Sequence, residues 1–291
     1  MKRWIALIIL AFLSLLIWLP VWIMLTGSLM GKTEIEESIK PVMELAEDGN
    51  TGSSMNTSEQ YASWHMIPQY PTLKPYVELL LDSPHFFAMF WNSCIQVIPG
   101  VLGQLLIAVP AAWAFARYQF PGKRGVFLIY IILMIMPFQV TMVSGYLVLD
   151  RFHMMHTHLA IIVPAAFSTF PVFIMTKFFK GIPDTLMEAA RMDGASERQI
   201  FSHIGIPLGA SGIVSAVVLG FLEGWNAIEQ PLTFLSKQSL WPLSLYLPSI
   251  SKERVGVAFV ASVIVMIPSV LIFLYGQQYL EQGIVASGIK E

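Results

Sequence analysis

Three histidines, His153, His156 and His158, stand within six residues of one another, close enough to offer imidazole nitrogens to a metal ion. Asp150 is the only carboxylate near them, so hydrated loop residues are the favoured reading and no metal site is expected. The stretch from Gly27 to Lys32 and Thr33 resembles a phosphate-binding loop but fails on spacing. Three residues separate Gly27 from Gly31 where four are needed, Thr26 stands where the glycine should be, and an apolar run precedes it instead of a strand. The chain is therefore expected to bind no cofactor and to hydrolyse no ATP itself. Glu223 is an acid abutting an apolar run, where ionisable groups are functional candidates by default. Two readings are open for it: a group at membrane depth on a substrate path, or a hydrated group at the interface with Trp225 as an anchor. No nucleophile and base stand at a recognised catalytic spacing, so the chain is not expected to be an enzyme.

The richest polar segment runs from Glu188 to Pro207. It carries Glu188, Arg191, Asp193, Glu197 and Arg198 between long apolar runs, yet Leu186, Met187, Ala189, Ala190 and Met192 keep helical periodicity. Pro183 suits the first turn of a short helix, and Gly194 suits its left-handed C-terminal cap. Ser196 with Gln199 three residues on forms a capping box that starts a second helix. The predicted geometry is helix, glycine elbow, helix. A helix lying on lipid headgroups favours a strongly basic polar face. Here Asp184, Glu188, Asp193 and Glu197 balance Arg191 and Arg198, so a protein groove is the better partner.

The elements that position these residues are set by composition. Of 291 residues, 55% are hydrophobic and only 12% charged, and mean hydropathy is +0.65. A soluble domain carries about 25% charged residues, so this is a membrane protein. Charge-free runs cover 4–30, 83–116, 125–149, 152–176, 199–222 and 255–280. Each exceeds the ~20 residues that cross a bilayer, which predicts six spans and an all-α fold. The first is kept as a span over a signal peptide, because it is too long and no small-residue cleavage site follows it. Cys94 is the single cysteine, which excludes an intrachain disulfide and a thiolate metal cluster. The sixteen methionines are read as adaptable packing among helices.

Lysine and arginine in the loops give the orientation. With the N-terminus inside, ten of them (Lys2, Arg3, Arg117, Lys123, Arg124, Lys177, Lys180, Arg191, Arg198 and Lys290) fall inside and seven outside over longer loops. Both termini and the Glu188–Pro207 segment are then cytoplasmic. The outer loop 31–82 has nine acids against three bases, and residues 31–63 read as a solvated stretch with little core. Pro84, Pro99 and Pro110 in the second run predict a helix packed inside a bundle or lining a cavity. The 238–251 segment is too short and proline-broken to span, and reads as interfacial or re-entrant. Two Gly-x-x-x-Gly pairs, Gly205 with Gly209 and Gly220 with Gly224, predict close helix approach, a dimer contact being one use of it.

The pattern Glu188-Ala189-Ala190, three residues, Gly194, nine residues, Ile204-x-Ile206-Pro207 resembles the coupling motif of permease subunits in binding-protein-dependent ABC importers. Ile206 stands where that family usually has Leu, a swap that keeps an apolar branched side chain. Asn92-Ser93, the stretch 111–121, Ile182-Pro183, the stretch 193–196, Trp225-Asn226 and the tail 277–290 are similar to the carbohydrate, maltose-type branch. The resemblance runs from about Asn92 to the C-terminus, and the acidic loop before residue 64 is less typical of it. It implies a type I permease core with six helices, both termini inside, in the cytoplasmic (inner) membrane of a prokaryote.

It further implies that Glu188, Ala189, Ala190, Arg191, Asp193, Gly194 and Pro207 couple to ATPase subunits, with Glu188 the coupling glutamate and Gly194 the elbow. Glu223, Trp225 and Asn226 become candidates for the substrate path. Glu229, Gln230, Lys237 and Trp241, in the last outer loop, become candidates for contact with the binding protein. The expected organisation is a first helix (1–30), an acidic outer loop (31–84), a five-helix core (85–280) with a coupling loop (181–204), and a cytoplasmic tail (281–291). Expected partners are a second permease chain in a heterodimer, two ATPase subunits that bind ATP and Mg, an extracytoplasmic solute-binding protein and the bilayer, with no nucleic acid. The implied function is import of an oligosaccharide or glycoside by alternating access. Alternatives are a permease for a non-sugar solute and an ion-coupled secondary transporter, for which only Glu223 qualifies as an intramembrane acid.

Overall fold

A computed structural model describes residues 2–35, 67–247 and 254–288, with side chains from 4 and up to 281. Most of the acidic 31–63 stretch therefore lies outside the described residues. Every regular element among those described is helical. Four helices are long and apolar enough to cross a membrane, 4–27, 84–117, 159–180 and 255–281, or up to six segments if each of two bent pairs is one span. The chain divides into two compact units, 1–87 with 246–267, and 88–245 with 268–291.

In the first unit, α1 (Lys2–Gly27) exposes every residue from Trp4 to Pro20, and burial begins at its last turn with Thr26, Gly27 and Ser28. Gly27 is there because Phe259 lies against it: a Cβ would stand 2.9 Å from the ring. The Ser28 hydroxyl meets the Tyr76 hydroxyl at 2.9 Å, tying α1 to the short α2 (Lys74–Leu81), which Pro75 helps to start. Leu79, Phe86 and Tyr246 close this small core, the last two rings edge to face at 5.2 Å.

In the second unit, α3 (Pro84–Arg117) runs unbroken through Pro99 and Pro110. The next predicted span is two helices, α4 (Lys123–Ile135) and α5 (Phe138–Arg151), meeting at 106°. Pro137 causes the break: it offers no N–H and drives Met136 to an extended ψ of 123°. The fourth predicted span starts later than its apolar run, because residues 152–158 turn, with His153 and His156 at positive φ. Its helical parts are α6 (Leu159–Ala166) and α7 (Phe170–Lys180). The segment expected to couple forms α8 (Asp184–Met192) and α9 (Glu197–Ile200), followed by a π turn (Phe201–Gly205) and α10 (Ile206–Leu208). A bend of 67° leads into α11 (Ala210–Trp225). Then come α12 (Glu229–Phe234) and α13 (Val255–Gly288), of which the part from Pro268 belongs to this unit.

Trp113, Met175, Phe179, Met187 and Ile200 centre the core of this unit. The glycine pairs fit side chains of the same chain, which removes the need for a dimer contact to explain them. A Cβ on Gly205 would meet Trp113 at 2.6 Å, Gly209 lies against Phe179, and Gly224 faces Val97. The first pair leaves room for rings of α3 and α7, Trp113 and Phe179, and the second faces Gln104 and Val97 of α3.

Candidate coupling surface and cavity

The α8–α9 hairpin is built by its own sequence. Pro183 is extended (φ −61°, ψ 136°), so it caps α8 from just outside the helix, one residue before the first-turn position expected. Gly194 has φ +83°, the Ala195 N–H donates to the Ala190 carbonyl at 2.9 Å and the Gly194 N–H to the Arg191 carbonyl at 3.0 Å. These two bonds satisfy carbonyls that the helix end would otherwise orphan. The capping box is complete: the Gln199 N–H donates to Ser196 Oγ at 3.4 Å, and the Ser196 N–H to Gln199 Oε1 at 2.8 Å. Arg191 Nε donates to Glu197 Oε1 at 2.7 Å across the elbow. That bond, helped by the Tyr118 hydroxyl at 3.3 Å, holds the Glu197 carboxyl below the usual glutamate range.

Met187 turns into the core, whereas Leu186, Ala189 and Met192 stay exposed at threefold spacing, Met192 by 88%. Glu188, Arg191 and Asp193 border this uncovered stripe and are exposed too. Pro207 is not on the hairpin; it lies in the bend, where the Ile206 N–H reaches back five residues to the Phe201 carbonyl.

Arg117, at the end of α3, holds the hairpin to the helical body, a role its position in the sequence did not disclose. Its side chain is 8% exposed, and Nη1 meets Asp184 Oδ1 at 2.7 Å. Nη2 donates to the carbonyls of Ile182, at 2.6 Å, and Phe179. The guanidinium carbon stands 5.6 Å from the centre of the Trp113 ring. One planar fork thus binds the C-terminal turn of α7, the link and the first residue of α8.

A cavity of about 330 Å³ opens between α3, α6 and α11. Its polar lining is Gln96, Gln104, Ser168, Glu223, Glu229 and Gln230, with no cation among the lining residues. Gly220 gives the Gln104 amide its place, since a Cβ there would collide with Oε1. Glu229 accepts from Gln139 Nε2 at 2.6 Å, while Glu223 has no ion-pair partner among the described residues. Amides and carboxylates arranged in this way can accept from and donate to hydroxyl groups. As the prolines of α3 suggested, that helix lines a cavity.

Of the path candidates, Glu223 alone reaches the cavity wall. Trp225 is 2% exposed, stacked on Phe221 at 5.4 Å and edge-on to Phe90 at 5.9 Å. Two helical positions rotate a side chain by about 200°, so Glu223 and Trp225 face opposite ways. Asn226 turns back to donate to the Leu222 carbonyl at 2.8 Å. Glu229 and Gln230 line the cavity and Lys237 is exposed. Trp241 is half-buried and donates to the Leu235 carbonyl at 3.0 Å.

Polar residues of α3 hold the loop before residue 246. Asn92 Nδ2 donates to the carbonyls of Ser239 and Trp241, at 2.8 and 3.0 Å. Gln96 Nε2 donates to the Leu240 carbonyl at 2.8 Å, and the Leu243 N–H donates to Ser93 Oγ at 2.7 Å. The histidines turn to separate partners: His156 bonds Ser236 Oγ at 2.8 Å and His158 meets Gln96 at 3.2 Å. Amides within an apolar run were the available signal for this network, and for Gln104 on the cavity.

The family of binding-protein-dependent transport system inner membrane components matches residues 104–286. A probable ABC transporter permease of Pyrococcus horikoshii is 32% identical over 78% of this chain and 85% of its own length. The arabinooligosaccharide transport system permease of Bacillus subtilis is 26% identical over 96% and 92%. Among solved structures, a bacterial ABC transporter that imports the acidic polysaccharide alginate superposes with a TM-score of 0.77 at 20% identity, covering 94% of this chain and 95% of that one. The chain belongs to the binding-protein-dependent inner membrane components, as a multi-pass permease subunit of an ABC importer in the cytoplasmic membrane.

Proposed function

We propose that this chain forms one half of a heterodimeric permease that imports a neutral oligosaccharide or glycoside by alternating access. The hairpin of α8 and α9, with Glu188 and Gly194, faces the cytoplasm and docks in a groove of one of two ATPase subunits, which bind ATP and Mg. Its uncovered Leu186, Ala189 and Met192 stripe supplies the apolar contact, and Glu188 and Arg191 the polar rim. Arg117 carries the movement of the hairpin into α3 and α7. On the opposite side, Glu229, Gln230, Lys237 and the Trp241 loop meet an extracytoplasmic solute-binding protein.

The observation that carries the substrate class is the cavity, where Gln96, Gln104, Glu223 and Glu229 present hydrogen-bonding groups without a cation. Relatives named for arabinooligosaccharides and lactose agree with it. A phosphorylated polyol is the second reading, because a glycerol-3-phosphate permease of Pectobacterium atrosepticum is 27% identical over 69% of this chain. Two carboxylates beside an anionic solute disfavour it.

The Glu188→Lys variant is expected to insert in the membrane and abolish uptake; normal uptake would sink the coupling assignment. Copurification with the associated subunits, then ATPase stimulation across a panel of neutral and phosphorylated sugars, tests the substrate class. Stimulation by phosphorylated solutes alone would overturn it.

A further inference from the structure

A second cavity, about 570 Å³, lies where α4 begins, and its lining has the opposite character to the first. Lys123, Arg124 and Lys180 reach it, and no carboxylate does. None of the three has an acidic partner among the described residues, and Asp184, the acid close to Lys180 in sequence, is bonded to Arg117. Two of the cations are held in place. Lys123 Nζ donates to the Tyr118 carbonyl at 2.7 Å, and Lys180 Nζ stands 5.5 Å from the centre of the Phe127 ring. Phe120 and Phe127 each pack on Phe115, at 5.8 and 5.3 Å, and the three rings give the cavity an apolar wall.

Position adds a second constraint. The charge-free run of α4 starts at Gly125 and that of α7 ends at Thr176, so the three cations stand where apolar chain gives way to water. Beyond them α4 continues with Leu128, Ile129 and Ile132 exposed, a surface suited to acyl chains. Uncompensated cations at the polar boundary with bare apolar helix behind them match one ligand chemistry, a phosphate ester attached to hydrocarbon. We propose that this cavity binds the phosphodiester headgroup of an anionic membrane lipid through Lys123, Arg124 and Lys180. Lys180 ends α7 just before the link to α8, so the headgroup sits on the helix that leads into the hairpin.

The test uses the whole transporter in phosphatidylcholine nanodiscs doped with labelled phosphatidylglycerol. The Lys123→Gln, Arg124→Gln, Lys180→Gln triple variant is expected to retain labelled lipid roughly tenfold less than the wild type or lower still, each boundary cation contributing several-fold. A control that changes Lys32, Lys74 and Arg151 to Gln should match the wild type. Arg124→Gln alone, at an exposed position, should give a smaller loss and guards against misfolding of the triple variant. Equal retention in all variants overturns the site. Displacement by millimolar inorganic phosphate would assign the cavity to a free anion and overturn the lipid. Retention that appears only without ATPase subunits would assign it to a protein contact, with the same result.

Discussion

The α8–α9 hairpin and the polar cavity are built on opposite principles. In the hairpin, almost every bond that fixes the shape joins residues at most six apart: the bonds at Gly194, the Ser196–Gln199 box and the Arg191–Glu197 pair. In the cavity, Gln104 meets Gly220 and Gln139 meets Glu229 across intervals of about a hundred residues. A local motif keeps its shape when its surroundings change, whereas a cavity wall exists only once several helices have packed. Arg117 is where the two regimes meet, because it fastens a locally determined element to the helical body.

That contrast is most exposed to failure at Arg117. Arg117→Ala leaves the Ile182 carbonyl without its donor, at about 1–3 kcal/mol for a buried group, and leaves the Phe179 carbonyl only the Ile182 N–H. The expected outcome is a large drop in thermal stability and loss of uptake, while hydrogen exchange at residues 196–200 keeps its protection. Loss of that protection as well would show that the hairpin is not autonomous. Arg117→Lys should restore little, since an ammonium cannot reproduce the fork.

Gly220→Val tests the other side. The added side chain drives into the Gln104 amide, and overpacking costs about 1–3 kcal/mol. Sugar uptake should fall severalfold with ATPase subunits still bound; unchanged uptake with an intact fold would remove the cavity from the path. Gly194→Val has open space around it but a φ of +83°, which costs a side chain roughly 1–2 kcal/mol. ATPase copurification should weaken, and Gly194→Asn should recover part of it, because asparagine tolerates that conformation. Equal copurification by Gly194, Val and Asn chains would remove the elbow from coupling.

The smallest effect belongs to Glu197. Its folded carboxyl titrates below the usual range, chiefly through the Arg191 bond. The stabilisation is therefore fully present above the unfolded glutamate pKa and is lost as pH falls through the folded one. Protection of residues 196–200 should decline in that acid window, and Glu197→Gln should flatten the decline. A decline instead between neutral and alkaline pH would point to another group.

These cases also mark what could be read in advance. Gly194 and Ser196 were legible because caps follow from residue type and spacing within one turn. The break at Pro137 carried the same kind of signal, yet the charge-free run around it read as one straight span. Trp225 became a path candidate through the resemblance, although helical rotation places it in the core. Arg117 gave no local sign, since its partners lie 62–67 residues away.

By itself the sequence determined that this chain lives in a membrane, where its apolar runs lie, and the internal form of its α8–α9 hairpin, all consequences of hydropathy and short-range hydrogen bonding. Tertiary structure alone decided which amides and carboxylates share a cavity, which glycines admit an aromatic ring, and which arginine carries the hairpin. Those outcomes depend on how helices rotate and bend against one another, and that phase is fixed by packing between distant residues.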